Sequence, residues 1–178
     1  MKVHFPEIKL IFLMRHPGAV IVSRIKQNWV TDLSTFLSQP LLMDDYLNEF
    51  KRDIEKADTQ FEKSLFLWCI ENYVPLKQLS DNDFHLIFYE HLVLYPEEEL
   101  EKLFSFIGRD YDKSICKIMK KPSPEVRKDS ALLTGDSLID KWKRDLTKVE
   151  KEKIADILSL FELDKIYSTD SSPIQTNF

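Results

Sequence analysis

Arg15 and Ser23 stand eight positions apart, with Pro17 and Gly18 between them, directly after an apolar run. An arginine there presents a planar fork of donors that matches a phosphate. Ser23 falls about two helical turns beyond it and can donate to the same anion if a ligand runs along the helix. The competing arrangement is plain: Arg15 pairs with an acid such as Glu90, and Ser23 faces a neighbour. A second basic group, Arg127, Lys128, Lys141, Lys143 and Arg144, flanks a stretch containing Gly135. A loop of that kind could close over a multiply charged ligand. A solvated charged surface is the commoner use of such residues. Trp142, among these charges, could stack on a base or pack inside. His16 and His91 each follow a strand end, within reach of general-base work. Glu90, beside Tyr89, has the position of a group that anchors the centre of a sheet through a neighbouring loop.

The elements that must hold these groups follow from periodicity. Lys9 to Met14 is almost continuously apolar, which predicts a strand buried on both faces, as in a parallel sheet. Pro17 suits the first turn of a helix running to about Asn28. Arg15 then sits at the C-terminal end of a strand, where open α/β sheets bind ligands. Trp29 to Pro40 reads as irregular, and Met43 to Ala57 as helical, with Tyr46, Leu47, Phe50 and Ile54 on one face. Phe61 to Leu79 predicts a long amphipathic helix, kinked or ended by Pro75. Ser80 to Asp83 is a turn. Phe84 to Tyr89 predicts a second strand. Pro96 to Ile107 predicts a helix opened by proline and three glutamates and closed by Gly108. Asp112 to Met119 reads as a short helix, and Lys120 to Ile139 as a polar loop, long enough to suggest a function. Thr147 and Glu150 form a capping box for a last helix with Ile154, Ile157, Leu158 and Phe161 inside. The expected division is a partial α/β domain over residues 1–167 and a flexible tail over residues 168–178.

Composition narrows the classes. A chain of 178 residues with 43% hydrophobic and 31% charged content can bury a core and is not disordered. A net charge of -5 argues against nucleic acid or anionic lipid as partner, while leaving room for a local basic pocket. Cys69 and Cys116 are isolated, and the four histidines form no close pair, so no metal is expected. No apolar run approaches the ~20 residues of a membrane span, and no leader is visible, so a cytoplasmic location is expected. The buried-type strand comes soon after Met1, and two strands are few for an α/β sheet. Both points suggest a segment, or a domain incomplete at its N-terminus.

Three stretches, in this order, resemble the C-terminal part of the sulfotransferase family that uses 3'-phosphoadenosine 5'-phosphosulfate. The first is Lys9-Leu10-Ile11-Phe12-Leu13-Met14-Arg15-His16-Pro17 with Ser23. It is similar to the family's 3'-phosphate motif, an apolar strand followed by Arg-x-Pro and a serine. The second is Tyr89-Glu90-His91-Leu92 with Pro96 and Phe106-Ile107-Gly108. The third is Gly135-Asp136-Ser137 through Lys141-Trp142-Lys143-Arg144. Trp68 also fits the pattern. The resemblance implies a P-loop-NTPase-like sulfotransferase fold, with a parallel sheet flanked by helices. It implies that Arg15 and Ser23 hold the nucleotide 3'-phosphate, and that Tyr89 and Glu90 are structural. It further implies that Arg127, Lys128 and Gly135 belong to a loop over the nucleotide. The reaction implied is in-line sulfuryl transfer to a hydroxyl or amine of a small molecule or glycan, leaving adenosine 3',5'-bisphosphate, with no metal.

The family's Gly-rich phosphosulfate loop has no counterpart here, since the glycines are Gly18, Gly108 and Gly135. No residue inherits the role of catalytic base. A rival reading is therefore a non-catalytic nucleotide-binding or protein-interaction remnant, joining a partner or a second copy through an exposed sheet edge. A nucleotide kinase would need a P-loop of the form Gly-x-x-x-x-Gly-Lys-[Ser/Thr], which is absent.

Overall fold

A computed structural model describes residues 7–79, 84–116 and 138–174. The chain is α/β, rich in helix, with a parallel sheet. Strand β1 (Leu10–Met14) pairs in parallel with β2 (Phe84–Phe88), in the register Leu10 to Phe84 through Met14 to Phe88. A parallel pair needs a crossover, and the crossover here carries five helices. Helix α1 (Pro17–Lys26) follows β1, and α2 (Ser34–Leu37) is one turn long. The run from Pro40 to Glu55 changes its winding repeatedly. It begins as α3 (Pro40–Leu42), widens to a π-helix over Met43–Leu47, tightens to a 3-10 turn over Asn48–Phe50, and ends as α4 (Lys51–Glu55). Helix α5 (Gln60–Gln78) returns the chain to the start of β2. It is opened by a capping box of Thr59 and Glu62. It runs past Pro75 for three more residues, so the proline neither stops it nor sets its end.

After β2 come α6 (Tyr89–Leu94) and α7 (Pro96–Ile107), the latter ended by Gly108 in the left-handed conformation at φ 71°. Near the C-terminus lie α8 (Trp142–Asp145), α9 (Lys148–Leu160) with its Thr147–Glu150 capping box, and a 3-10 turn at Leu163–Lys165. Helices α1, α5 and α9 pack against one another. Ile21, Leu65, Cys69, Leu158 and Phe161 are almost fully buried in the core they share. Phe161 stacks on Phe50 at 4.0 Å, which ties α9 to the irregular crossover segment.

One expectation about β1 is corrected. Its apolar run predicts burial on both faces, yet Ile11 is 50% and Leu13 54% exposed. Met14 is buried on the opposite face. Helix α7 packs on β2, where Phe106 stacks on His85 at 5.1 Å. Even so, Ile11 and Leu13 on β1 stay at least half exposed. An apolar run is therefore necessary for two-sided burial but does not supply the covering layer.

The described part of the C-terminal segment, residues 168–174, makes contacts with the rest of the chain. Ser171 is buried, and the Ile174 amide donates to the Ile166 carbonyl at 2.7 Å. The Ser80–Asp83 turn, most of the Lys120–Ile139 loop and the end of the expected Asp112–Met119 helix lie outside the described residues. No helix among the described residues is long and apolar enough to cross a membrane.

Candidate functional site

The site is the turn that joins β1 to α1. Its backbone is held from two directions. The Trp68 indole N–H, from α5, donates to the Arg15 carbonyl at 3.1 Å. The His16 amide donates to Glu90 Oε1 at 2.9 Å. Glu90 is buried, and its second oxygen accepts from the Tyr167 hydroxyl at 2.8 Å. Glu90 thus ties the end of β2 to the turn after β1, an anchor through a neighbouring turn. It does not pair with Arg15.

The amides at the start of α1 are consumed internally. Pro17 has no N–H to offer. The Gly18 amide donates to His16 Nδ1 at 3.1 Å, and the Ala19 amide to the His16 carbonyl at 3.0 Å. His16 is therefore the N-cap of α1 through its ring. Because Nδ1 accepts, the ring proton sits on Nε2, which donates to the Ser168 carbonyl at 2.9 Å. The imidazole is fully buried and stacks on Trp142 at 4.1 Å. Burial lowers its pKa to about 4, helped by the charges of Lys143 and Arg15 and opposed by Ser168 and Asp140. A ring so enclosed, with both nitrogens committed, is not a general base. Tyr167, beside it, has its phenol pKa pushed up by burial and by Glu90.

Arg15 has a different status. Its guanidinium lies over the Tyr89 ring at 4.2 Å, and its Nε is buried with no hydrogen-bond partner among the described residues. It forms no ion pair with any described carboxylate. A buried donor without an acceptor costs about 1–3 kcal/mol, more when it is charged. Ser23 is on the second turn of α1, roughly 9 Å along the axis from Pro17. Its hydroxyl accepts from the Gln27 side chain at 3.0 Å and keeps its own proton to donate.

The second basic group divides. Arg127, Lys128 and Gly135 lie outside the described residues. Lys143 is held by Asp140 at 3.1 Å and Asp170 at 3.6 Å. Trp142 is buried, with its indole N–H donating to Ser171 Oγ at 3.0 Å, so it packs rather than offering a face to a base. His91 packs against Phe88 and Tyr95. No group of three or more metal-ligating side chains gathers among the described residues.

Sequence reasoning missed the fit between Gly18 and Trp142. A methyl on Gly18 would lie 2.8 Å from Trp142 Cζ3 and closer still to Cε3. Glycine is required there for close approach, not for its backbone conformation. The parts played by Tyr167, Ser168 and Ser171 also left no local signal.

The sulfotransferase domain profile matches residues 1–163. No curated protein matches the chain. Among solved structures, a sulfotransferase domain from the curacin biosynthetic pathway aligns at 21% identity with a TM-score of 0.45. That alignment covers 85% of this chain and 53% of the other, so this chain spans about half the length of that relative. Because the profile match extends from before β1 to the 3-10 turn after α9, taking in the Arg15 turn and the Glu90 anchor, this chain belongs to the sulfotransferase domain family.

Proposed function

We propose that the chain binds the nucleotide end of 3'-phosphoadenosine 5'-phosphosulfate. Arg15 and Ser23 take the 3'-phosphate, and the chain works in sulfuryl transfer to a hydroxyl or amine of a small molecule or glycan. The observation that carries this is the Arg15 guanidinium at the C-terminal end of β1, which lies on Tyr89 and is paired by no described carboxylate. The residues present fit an anion. One cation has no carboxylate partner among the described residues, and a hydroxyl follows on the same helix. When bound, the nucleotide supplies an activated sulfuryl group and a leaving phosphate. The chain's own part is to hold and orient the nucleotide by its 3'-phosphate, which is a positioning contribution. Arg127, Lys128 and Gly135 join the proposal on sequence grounds alone, as a loop over the same nucleotide.

The test is calorimetric titration of the full chain with adenosine 3',5'-bisphosphate, alongside adenosine 5'-phosphate. Binding that needs the 3'-phosphate supports the reading. A folded chain that binds neither overturns it and favours the second reading, a protein-interaction module. That reading has an observation of its own, the bare Ile11 and Leu13 on β1. A partner or a second copy of the chain would cover them.

A further inference from the structure

Four groups from distant parts of the chain converge on the turn that presents Arg15. Glu90 holds the His16 amide at 2.9 Å, and Tyr167 holds Glu90 at 2.8 Å. The His16 ring reaches the Ser168 carbonyl, 152 positions away in sequence. Trp142 lies flat on that ring at 4.1 Å and is itself held by Ser171, whose hydroxyl donates to Asp140 at 2.8 Å. Tyr167, Ser171, His16 and Glu90 are each no more than 3% exposed. Through this path the segment from Tyr167 to Ser171 is joined to the backbone of the residue next to Arg15.

We propose that His16 is a positioning residue: its Nε2–Ser168 hydrogen bond makes the C-terminal segment a working part of the anion site, by fixing the turn that aims Arg15. This rests on the nucleotide-binding reading above and adds to it the groups that control the site. The physical reason lies in the attachment of Arg15 itself. Its guanidinium has no ion pair among the described residues to orient it, only the Tyr89 face and its own backbone. Backbone placement at Arg15 and His16 therefore decides where the donor fork points. Two of the groups that fix that placement, His16 and Glu90, are bonded in turn to Ser168 and Tyr167. A rotation of the His16 ring would release the Gly18 cap, the Ser168 link and the Trp142 stack together.

The test uses two variants of the full chain. The Gln side chain of His16→Gln can place an N–H near the position of Nε2, keeping the link to Ser168. The carbonyl of His16→Asn can stand in for Nδ1 and keep the Gly18 cap, but it cannot reach Ser168. Each variant is titrated with adenosine 3',5'-bisphosphate and adenosine 5'-phosphate, and its amide hydrogen exchange is followed over residues 12–20 and 166–174. For His16→Asn the expected result is about a tenfold loss of affinity for the bisphosphate, the size of one lost hydrogen bond. Affinity for the 5'-phosphate should hardly change, and exchange should become faster in both segments together. His16→Gln should restore most of the discrimination. A folded His16→Asn variant with unchanged exchange in residues 166–174, or with discrimination equal to the wild type, overturns the proposal. So does His16→Gln behaving like His16→Asn. If the wild type binds no bisphosphate, the nucleotide reading fails and the anion-site claim fails with it. The exchange measurement then still decides separately whether His16 couples the two segments.

Discussion

Arg15 just before helix α1 and Arg24 near its end contrast in a way that bears on the proposed anion site. Arg24, on its last turns, is bound to Glu71 at 2.7 Å, an ion pair with the acid half exposed. Arg15, just before its first turn, lies on Tyr89 with no described carboxylate near enough to pair. Both have one buried nitrogen without a hydrogen-bond partner, so that feature alone does not separate them. What separates them is charge compensation. Arg24 is already neutralised within the fold by Glu71. Arg15 lies on the Tyr89 ring, and no described carboxylate compensates its charge. A cation that the fold orients but does not neutralise is the better mark of a ligand site than a cation count. Lys143 makes the same point from the other side, since two aspartates hold it.

The comparison can be broken most severely at Gly18. Its close approach to Trp142 leaves no room for a methyl, and Gly18→Ala should cost about 3 kcal/mol of stability by overpacking. Chemical denaturation measures it, and a loss below about 0.5 kcal/mol would show that the turn is looser than its contacts imply. Next, Arg15→Ala should weaken adenosine 3',5'-bisphosphate binding about 100-fold, the size expected for charge-assisted contacts to phosphate. Its circular dichroism and denaturation midpoint should hardly change, because the residue neutralises nothing in the fold.

Acidification sharpens the contrast further. His16 is neutral in the folded state, with its pKa lowered to about 4. The unfolded chain takes up that proton near the ordinary value of about 6.5. Stability should therefore fall as pH drops below about 6.5, reach a loss of about 2 kcal/mol by pH 5, and level off below about 4. The charged groups named with the ring, Arg15, Lys143 and Asp140, are part of that pKa. In His16→Gln this component should vanish from the pH profile of unfolding. The smallest effect on binding belongs to Arg24→Ala, which should leave bisphosphate affinity within about twofold, since Glu71 already pairs that charge. An Arg24→Ala variant that lost binding as Arg15→Ala does would erase the distinction between the two arginines.

Local chemistry was enough for much of this molecule. The α7 boundaries, Pro96 and Gly108, and the Thr147–Glu150 box of α9 are readable because each depends on residues within a turn or two. The same rule would have found the Thr59–Glu62 box of α5, which the hydrophobic stripe beginning at Phe61 obscured. The placement of Arg15 at a strand end, and of Glu90 as an anchor, follows from an apolar run and the residue that stops it. The winding changes between Pro40 and Phe50 left no such signal.

The rest depends on partners far away in sequence. Ile11 and Leu13 have the composition of buried residues, but burial requires a second surface, and the strand's own residues do not encode one. His16 has the position of a base, yet Ser168, Gly18 and Trp142 occupy both nitrogens and one face of the ring. Arg15 could have paired with Glu90, but His16 and Tyr167 already take that carboxylate's two oxygens. Element type and ends are set by short-range hydrogen bonding and side-chain periodicity, which nearest neighbours carry. Which polar group stays unsatisfied is a competition among all donors and acceptors that meet in space, and only the folded chain settles it.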